Sequence, residues 1–168
     1  MTQYLESLEQ GQFMLMEGPK GRLAYEGFGK IKINKQIVTK KNIGLIAGGT
    51  GITPCYQVLQ AALDGDDGTN LSLVFANRSV EDILLKEELD QFKTNYPERF
   101  KLFYSVDTQP SIPWTYGVGW INEEMLKSNL PKPAEDTIIL YCGPPPFEKM
   151  IDEKLKGLGY NDSMLFKF

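Results

Sequence analysis

An α/β fold with a doubly wound parallel sheet is the prediction for the larger, carboxyl-terminal part of this 168-residue sequence. Two observations lead to it: short apolar runs alternate with segments of helical spacing, and a glycine-rich turn follows the first run. Such alternation indicates βαβ units with right-handed crossovers and therefore a parallel sheet. The predicted strands are residues 43–47, 71–76, 100–106, 137–141 and 163–168, and the predicted helices are residues 54–63, 81–96, 122–128 and 147–158.

The individual elements differ in how clearly their patterns define them. Residues 43–47 and 71–76 are continuous apolar runs, as expected of strands buried on both faces, and residues 100–106 alternate. Residues 81–96 have Leu84, Leu85 and Leu89 on or near one helical face. A glycine-interrupted loop is expected at residues 114–120.

The amino-terminal part has a different character. Residues 1–30 read as short strands and turns, punctuated by Gly11, by the Gly18-Pro19-Lys20-Gly21 turn and by Gly27. They are too few to close a β-barrel, so we expect the end of an antiparallel barrel whose beginning lies upstream. The predicted domains are a barrel remnant at 1–30, a polar linker at 31–41 and a nucleotide-binding domain at 42–168.

Composition excludes several classes of function. The sequence has no histidine and only two cysteines, which excludes the common zinc patterns and Ser-His-Asp or Cys-His catalysis. No metal site is therefore predicted. A net charge of −4 argues against a nucleic-acid binder. No run approaches the ~20 apolar residues of a membrane helix and no signal peptide is visible, so the chain as given is expected to be soluble, with any anchor upstream.

A glycine-rich segment, Gly48-Gly49-Thr50-Gly51-Ile52-Thr53-Pro54, follows the first predicted buried strand. Glycines let a ligand approach the backbone, and the N–H groups at a helix start can bind phosphate. We expect Thr53 as the helix N-cap and Pro54 as the first helical residue. The alternative is a tight strand-to-helix turn with no ligand. The segment matches neither GxGxxG nor the P-loop.

A second unusual segment, Cys142-Gly143-Pro144-Pro145-Pro146, follows the fourth predicted strand. Its prolines predict a stiff, extended stretch before a helix, and alone it reads equally as a rigid turn. Both segments end parallel strands, so they are expected at the same edge of the sheet. A glycine-lined phosphate cradle beside a shelf of small residues suits a dinucleotide.

The chain resembles the ferredoxin-reductase superfamily in GGTGITP, in CGPPP and in its carboxyl-terminal aromatic residue. It resembles the NADH–cytochrome b5 reductase family more closely in GPKGRLAYEG, GLIAGGTGITPCYQVLQ, VFANRSVEDILLKEEL, YPERFKLFYSVD and YGVGWINEEML. The flavin domain of eukaryotic nitrate reductase is similar too. The resemblance covers nearly the whole chain in order. The family's upstream flavin domain, with its Arg-x-Tyr signature, is outside this sequence, so the chain is expected to be a fragment or to have lost that domain.

The resemblance implies a role for each matching residue. Cys142 would lie beside the nicotinamide ring, although a small buried core residue is the alternative. Asp107 would accept a hydrogen bond from the adenosine ribose and favour NADH over NADPH, whereas Arg78 points weakly towards NADPH. The remaining cofactor-binding residues that it implies are Thr2, Lys30, Gly48, Gly49, Thr50, Gly51, Thr53, Pro54, Gly143, Pro144, Pro145 and Phe168.

The implied activity is transfer of a hydride from NADH to FAD, followed by single electrons to a haem acceptor such as cytochrome b5. A flavin domain or a partner chain would complete the FAD site. For location, the resemblance implies the cytoplasmic side and leaves open association with the endoplasmic reticulum or mitochondrion through segments outside this chain. The competing hypothesis is a non-enzymatic accessory or structural subunit that keeps the fold without a complete flavin site.

Overall fold

A six-stranded parallel sheet is the centre of the computed structural model, which describes residues 2–15, 17–18, 21–65 and 67–168. In chain order the elements are α1 (Thr2–Glu6), β1 (Leu23–Gly27), β2 (Lys30–Ile33), β3 (Gln36–Thr39), β4 (Asn42–Gly48), α2 (Ile52–Asp64), β5 (Asn70–Asn77), α3 (Lys86–Asn95), β6 (Phe100–Val106), β7 (Gly117–Val118), α4 (Glu123–Asn129), β8 (Thr137–Cys142), α5 (Pro145–Gly157) and β9 (Leu165–Lys167).

Helices cover both faces of this sheet, as the sequence predicts. Leu59 of α2 and Leu89 of α3 lie in one buried apolar cluster with Leu45 and Leu73 of the central strands. Leu126 of α4 and the buried residues of α5 lie in a second cluster on the opposite face. Because β4 and β5 are buried on both sides, their sequences are continuous apolar runs. The doubly wound α/β prediction is confirmed.

The strand order is β7-β6-β5-β4-β8-β9, and all neighbours in it are parallel. From β4 the chain winds outward through β5, β6 and β7, and it then returns to place β8 on the other side of β4. The winding direction therefore reverses between β4 and β8. Open α/β sheets bind ligands in the crevice outside the carboxyl ends of their strands at such a point.

Most of the segment predicted to be a polar linker, residues 31–41, forms β-strands. β1, β2 and β3 form a three-stranded antiparallel sheet, with Lys30 opposite Thr39 and Ile31 opposite Val38. Ile31 is fully buried in the core cluster that also contains the buried residues of α2, whereas the lysines on either side of it are exposed. The segment therefore alternates exposed and buried residues, as a strand with one buried face does. Within the predicted strands and turns of residues 1–30, residues 2–6 form a short helix. Pro19 and Lys20 of the predicted turn are outside the described residues. The division into domains stays a prediction.

The predicted helix at 81–96 begins five residues late, at Lys86. Upstream of it, Asp82 accepts hydrogen bonds from the Ser79 amide at 3.1 Å and the Ser79 hydroxyl at 2.9 Å, which closes a turn instead of a helix. Leu85 then has a left-handed φ of 56° immediately before the helix. Local side-chain hydrogen bonding therefore overrides the helical spacing of the leucines.

A buried carboxylate joins the antiparallel sheet to the nucleotide-domain side of the molecule. Asp67, in the α2–β5 connection, has a side chain that is 2% exposed. It accepts hydrogen bonds from the Tyr25 hydroxyl, from the Phe28 amide at 2.8 Å and from the Thr69 amide at 3.0 Å. Arg99 Nη2 lies 3.5 Å from its Oδ1. Four residues thus share one carboxylate, and two of them, Tyr25 and Phe28, hold β1 and the β1–β2 turn against the α2–β5 connection.

These partners also set the ionisation of Asp67. Burial by itself raises the pKa of the carboxyl group, but the hydrogen bonds from Tyr25, Thr69 and Phe28 outweigh burial and lower that pKa below its usual range. A carboxyl group with a lowered folded pKa stabilises the fold above its unfolded pKa of about 4, and that stabilisation is lost as the pH falls through the folded value.

Replacement of Asp67 by Asn is expected to lower the free energy of unfolding by about 3 kcal/mol at neutral pH, because hydrogen bonds to a buried charge are lost. Urea unfolding across a pH series measures it. The gap to wild type should shrink as the pH falls below about 4. Asp64→Asn, at an exposed position near the end of α2, is the matched control and should change stability little. Equal effects of the two substitutions would contradict this account.

Candidate functional site

The two unusual segments of the sequence meet where β4 and β8 end side by side. Ala47 of β4 is the direct neighbour of Cys142 of β8 in the parallel ladder. A Cβ atom on Gly51 would lie 2.2 Å from the Cys142 carbonyl oxygen and 2.9 Å from the Gly143 nitrogen. The backbone of one segment therefore rests directly on the backbone of the other. Only glycine allows this approach, since no Cβ contact is that short.

The glycine turn, residues Gly49–Gly51, is a single turn of 3-10 helix between β4 and α2. Gly49 has a left-handed φ of +53°, and a Cβ there would meet nothing within 4 Å. The space above this glycine is therefore open, and a ligand can reach the backbone. No side chain caps the glycine turn or the start of α2. The donors of a helix start that lacks a side-chain cap can bind a phosphate.

The prediction that Thr53 caps α2 is wrong. The N-cap is Gly51, the helix begins at Ile52, and the Thr53 hydroxyl donates back to the Thr50 carbonyl at 3.2 Å. The glycine turn leads straight into the helix with helical dihedrals at Gly51, so no extended capping residue is needed. Pro54 is consequently the third helical residue, where a missing N–H is still tolerated.

The second segment is less extended than predicted. Pro144 is extended, with φ −58° and ψ 148°, but α5 already begins at Pro145. Proline is favoured at this first helical position. The Gly143 amide donates to Glu148 Oε1 at 3.3 Å, one turn into α5. The three prolines therefore lead the chain from the strand end directly into α5 instead of forming an extended stretch.

Phe147 is a site residue that the sequence did not reveal. A Cβ on Gly143 would lie 2.5 Å from the Phe147 ring, and one on Gly48 would lie 3.1 Å from it. The ring thus occupies the space beneath both strand ends that two glycines leave empty. Phe147 supports both segments from the α5 side of the sheet. Only the fold shows that this bulky aromatic residue packs against two glycines from different segments, so no sequence motif identifies it.

Cys142 is partly exposed at the end of β8. Burial raises the pKa of the Cys142 thiol, the charge of Glu148 adds to the rise, and the Gly143 amide acts against it. The thiol is therefore protonated at neutral pH and is not a thiolate nucleophile. It is a small, neutral group beside the glycine turn, which suits contact with a flat ring.

Asp107 and Phe168 lie at the carboxyl ends of the neighbouring strands. The exposed Asp107 follows β6, and its amide donates to the Asn77 carbonyl of β5 at 3.1 Å. Phe168 follows β9, and its amide donates to the Tyr141 carbonyl, one residue before Cys142, at 3.2 Å. Its ring packs edge-on against Phe166 at 5.5 Å. The structure thus brings both predicted residues to the same edge as the glycine turn.

Trp120 is a second residue that the motifs missed. Its side chain is 75% exposed. The preceding Gly119 donates to the Val106 carbonyl at 2.8 Å and accepts from the Ser105 hydroxyl at 2.8 Å, so the segment is held at the end of β6. An exposed indole close to Asp107 offers a flat surface on which a base can stack.

Lys30 is not brought to this edge, and its predicted place near the NADH phosphates is wrong. It begins β2 opposite Thr39, which lies just before the amino end of β4. The glycine turn is at the other end of β4, about 20 Å away along a strand of this length. The prediction relied on sequence order near the glycine turn, but β4 carries the chain away. The side chain of Thr2 is outside the described residues.

Other kinds of site are not seen in the described part of the chain. Within those residues no three Asp, Glu, Cys or His side chains are grouped to hold a metal ion. The helices found there include none with the length and apolar character needed to cross a bilayer.

A protein-family comparison matches residues 45–153 to the oxidoreductase NAD-binding domain. The chain belongs to this family. The matched residues contain the glycine turn, Asp107 and Cys142, so the strand-end crevice lies within the NAD-binding domain itself.

The chain is similar to NADH-cytochrome b5 reductase 3 of Rattus norvegicus, with 48% identity over 87% of this chain and 50% of the relative. Nitrate reductase [NADH] 1 of Nicotiana tabacum is 43% identical over 98% of this chain and 19% of the relative. The solved cytochrome b5 reductase domain of Ulva prolifera nitrate reductase has a TM-score of 0.91 and 37% identity, over 99% of this chain and 64% of that chain. The predicted resemblance is confirmed, and the chain spans less than two thirds of each relative.

Substitution of Gly51 by Ala is expected to lower the free energy of unfolding by about 3 kcal/mol, because its methyl group would overlap the Cys142 carbonyl and two backbone segments must separate. Gly49→Ala is the control: its methyl group meets open space and costs about 1 kcal/mol through its left-handed φ. Denaturant unfolding of both variants measures the difference. A larger loss at Gly49 would refute the close contact.

Proposed function

We propose that this chain is the NADH-binding part of an NADH-dependent flavoprotein reductase of the cytochrome b5 reductase type. It holds NADH for hydride transfer to FAD, from which single electrons pass to a haem acceptor such as cytochrome b5. The observation that carries the proposal is the meeting of the glycine turn and the Cys142–Gly143 backbone at the switch point of the sheet. The names of the relatives, NADH-cytochrome b5 reductase and nitrate reductase [NADH], support the nucleotide and the activity.

The dimensions of the strand-end edge support a dinucleotide. From β8 to β6 the order is β8-β4-β5-β6, three strand spacings or about 14 Å. Cys142 ends one side of this row and Asp107 follows the other, with the glycine turn between them. NADH placed along the row has its nicotinamide ring beside Cys142, its pyrophosphate over the glycine turn and its adenosine towards Asp107 and Trp120.

In this arrangement the protein binds and orients. The glycine turn and the start of α2 offer N–H groups and a positive helix end to the pyrophosphate. The neutral thiol of Cys142 and the small Gly143 leave room for the nicotinamide ring, with Pro144 and Pro145 directing the chain away from it. Hydride transfer needs no acid or base side chain, which agrees with a site that lacks histidine.

The flavin is the group that accepts the hydride when it is bound. Three residues lie beside the nicotinamide end of the row and would contact the flavin: exposed Thr53, half-buried Pro54 and half-buried Phe168. A flavin domain, in the same polypeptide or in a partner chain, completes the site, and Thr2 contributes to it. We propose the cytoplasmic side as the location of the assembled enzyme, with any association with the endoplasmic reticulum or mitochondrion made through segments outside this chain. The accessory-subunit alternative is not favoured, because these relatives are reductases.

Nucleotide preference follows from the charge at the adenosine end. Asp107 is exposed there, and its carboxylate can accept a hydrogen bond from a ribose hydroxyl while repelling a 2′-phosphate. Exposed Arg78 is close by, because its carbonyl accepts from the Thr108 amide at 3.2 Å. Arg78 follows β5 as directly as Asp107 follows β6, so the choice rests on the relatives, whose names are NADH-cytochrome b5 reductase and nitrate reductase [NADH]; we assign the preference to NADH.

Separate titrations of NADH and NADPH test this assignment. The wild-type chain should bind NADH more tightly than NADPH. Asp107→Ser should reduce the ratio of the two Kd values by about tenfold, mainly by lowering the Kd of NADPH. Asp64→Ser, at an exposed position outside the row, is the control. Tighter binding of NADPH by the wild-type chain would overturn the assignment to Asp107.

Replacement of Cys142 by Ser should slow hydride transfer by about tenfold while changing the Kd of NADH less than twofold, because the thiol orients the ring more than it holds the nucleotide. Stopped-flow reduction of the flavin in the flavin-loaded reductase gives both values. Cys55→Ala is the matched control: Cys55 is a fully buried residue of α2, so its loss should reduce stability and leave the rate of hydride transfer unchanged. An unchanged rate in Cys142→Ser would remove Cys142 from the site.

A further inference from the structure

Two buried side chains of β5 have polar atoms without a hydrogen-bond partner among the residues described. They are Ser72, through its hydroxyl, and Asn77, through both the Oδ1 and the Nδ2 of its carboxamide. Asn77 is only 7% exposed. Buried polar groups are nearly always paired, and a pair of unpaired amide atoms costs stability. The position of Asn77 in the fold points to a functional reason for this loss of stability.

Asn77 is the last residue of β5, at the strand-end edge that carries the proposed nucleotide site. The preceding Ala76 is the ladder neighbour of Gly48, and Asn77 itself is the neighbour of Val106 on β6. Asn77 thus lies between the glycine turn and Asp107. Phe75 and Val106 belong to the core cluster on the α2 face, so strand alternation and register place the Asn77 side chain on that face. The same face carries the start of α2.

Position and chemistry together suggest a ligand. In the proposed arrangement the pyrophosphate lies over the glycine turn and the adenosine ribose lies towards Asp107, so the bond between them passes over the end of β5. A carboxamide offers an N–H₂ donor for a phosphate oxygen and an oxygen acceptor for a ribose hydroxyl. An apolar residue of similar shape would fill the same space without unpaired atoms.

We propose that Asn77 is a nucleotide-binding residue whose carboxamide turns outward to hydrogen-bond the ADP half of NADH. This inference rests on the proposed function, because it assumes that the nucleotide lies along the strand ends. The fold keeps a carboxamide unpaired inside the chain so that it can pair with the ribose–phosphate part of the ligand. Stability is exchanged for binding at this one position.

The test compares stability and binding in the same variants of the 168-residue chain. Asn77→Leu should raise the midpoint of thermal unfolding and weaken both NADH and ADP-ribose by about tenfold in Kd, since both ligands contain the contacted half. Ser72→Ala is the matched control on the same strand. It removes the other unpaired group, so it should also raise the midpoint, but it should leave both Kd values unchanged. If the larger leucine prevents folding, Asn77→Ala gives the same binding comparison.

Each alternative result is decisive. Unchanged ADP-ribose binding in the Asn77 variants would overturn the inference while leaving the proposed function intact. Weakening of NADH alone would move the contact to the nicotinamide half and would also overturn it. Equal weakening by Ser72→Ala would show that β5 acts only through the fold. Failure of the wild-type chain to bind either ligand would instead contradict the proposed function.

Discussion

The close backbone contact between Gly51 and the Cys142–Gly143 peptide is the constraint on which the site depends. It brings the ends of β4 and β8 so near each other that a Cβ on Gly51 would lie 2.2 Å from a carbonyl oxygen. The sheet reverses its winding direction at this pair of strands, so the connections leave towards opposite faces. The crevice between them is formed by backbone, and a ligand there meets peptide groups before side chains. Such a surface suits a phosphate and a flat ring better than it suits acid–base chemistry.

The two ends of the parallel strands have different tasks. At the carboxyl ends the glycine turn, Cys142 and Asp107 leave open polar space. At the amino ends Asp67 gathers hydrogen bonds from the antiparallel sheet and from the loop before β5. Asp67 therefore ties the amino ends to the antiparallel sheet, whereas the unpaired carboxamide of Asn77 lies at the carboxyl end of β5. Separation of this kind lets a binding edge keep exposed backbone without loosening the fold.

Much of the fold follows from local pattern. Continuous apolar runs identified the central strands because a strand buried on both faces has little choice of residue. The predictions that failed have two causes: packing on residues distant in sequence, and local hydrogen bonds from side chains. Ile31 is buried because it joins the core cluster that also contains the buried residues of α2, and its lysine neighbours conceal this. The start of α3 depends on a single carboxylate, Asp82, which accepts from Ser79.

The site divides in the same way. Gly51 and Cys142 could be assigned together because their segments lie at the carboxyl ends of parallel strands, and topology alone places such ends on one edge. Phe147 could not be found, because its role is to fill the space beneath two glycines from different segments. Lys30 was misplaced because nearness in sequence to a motif ignores the length of the intervening strand. Asn77 could not be predicted from the sequence, because only the structure shows that its carboxamide is buried without a partner among the described residues.

The account is tested most directly by amide hydrogen exchange of this chain with and without NADH. If the strand-end contact forms the site, NADH should slow exchange at the glycine turn, at Gly143 and at Asp107, and it should leave the amino ends of β4, β5 and β8 unchanged. Protection confined to those amino ends, or spread evenly over the sheet, would contradict the claim that the Gly51–Cys142 contact builds the nucleotide site.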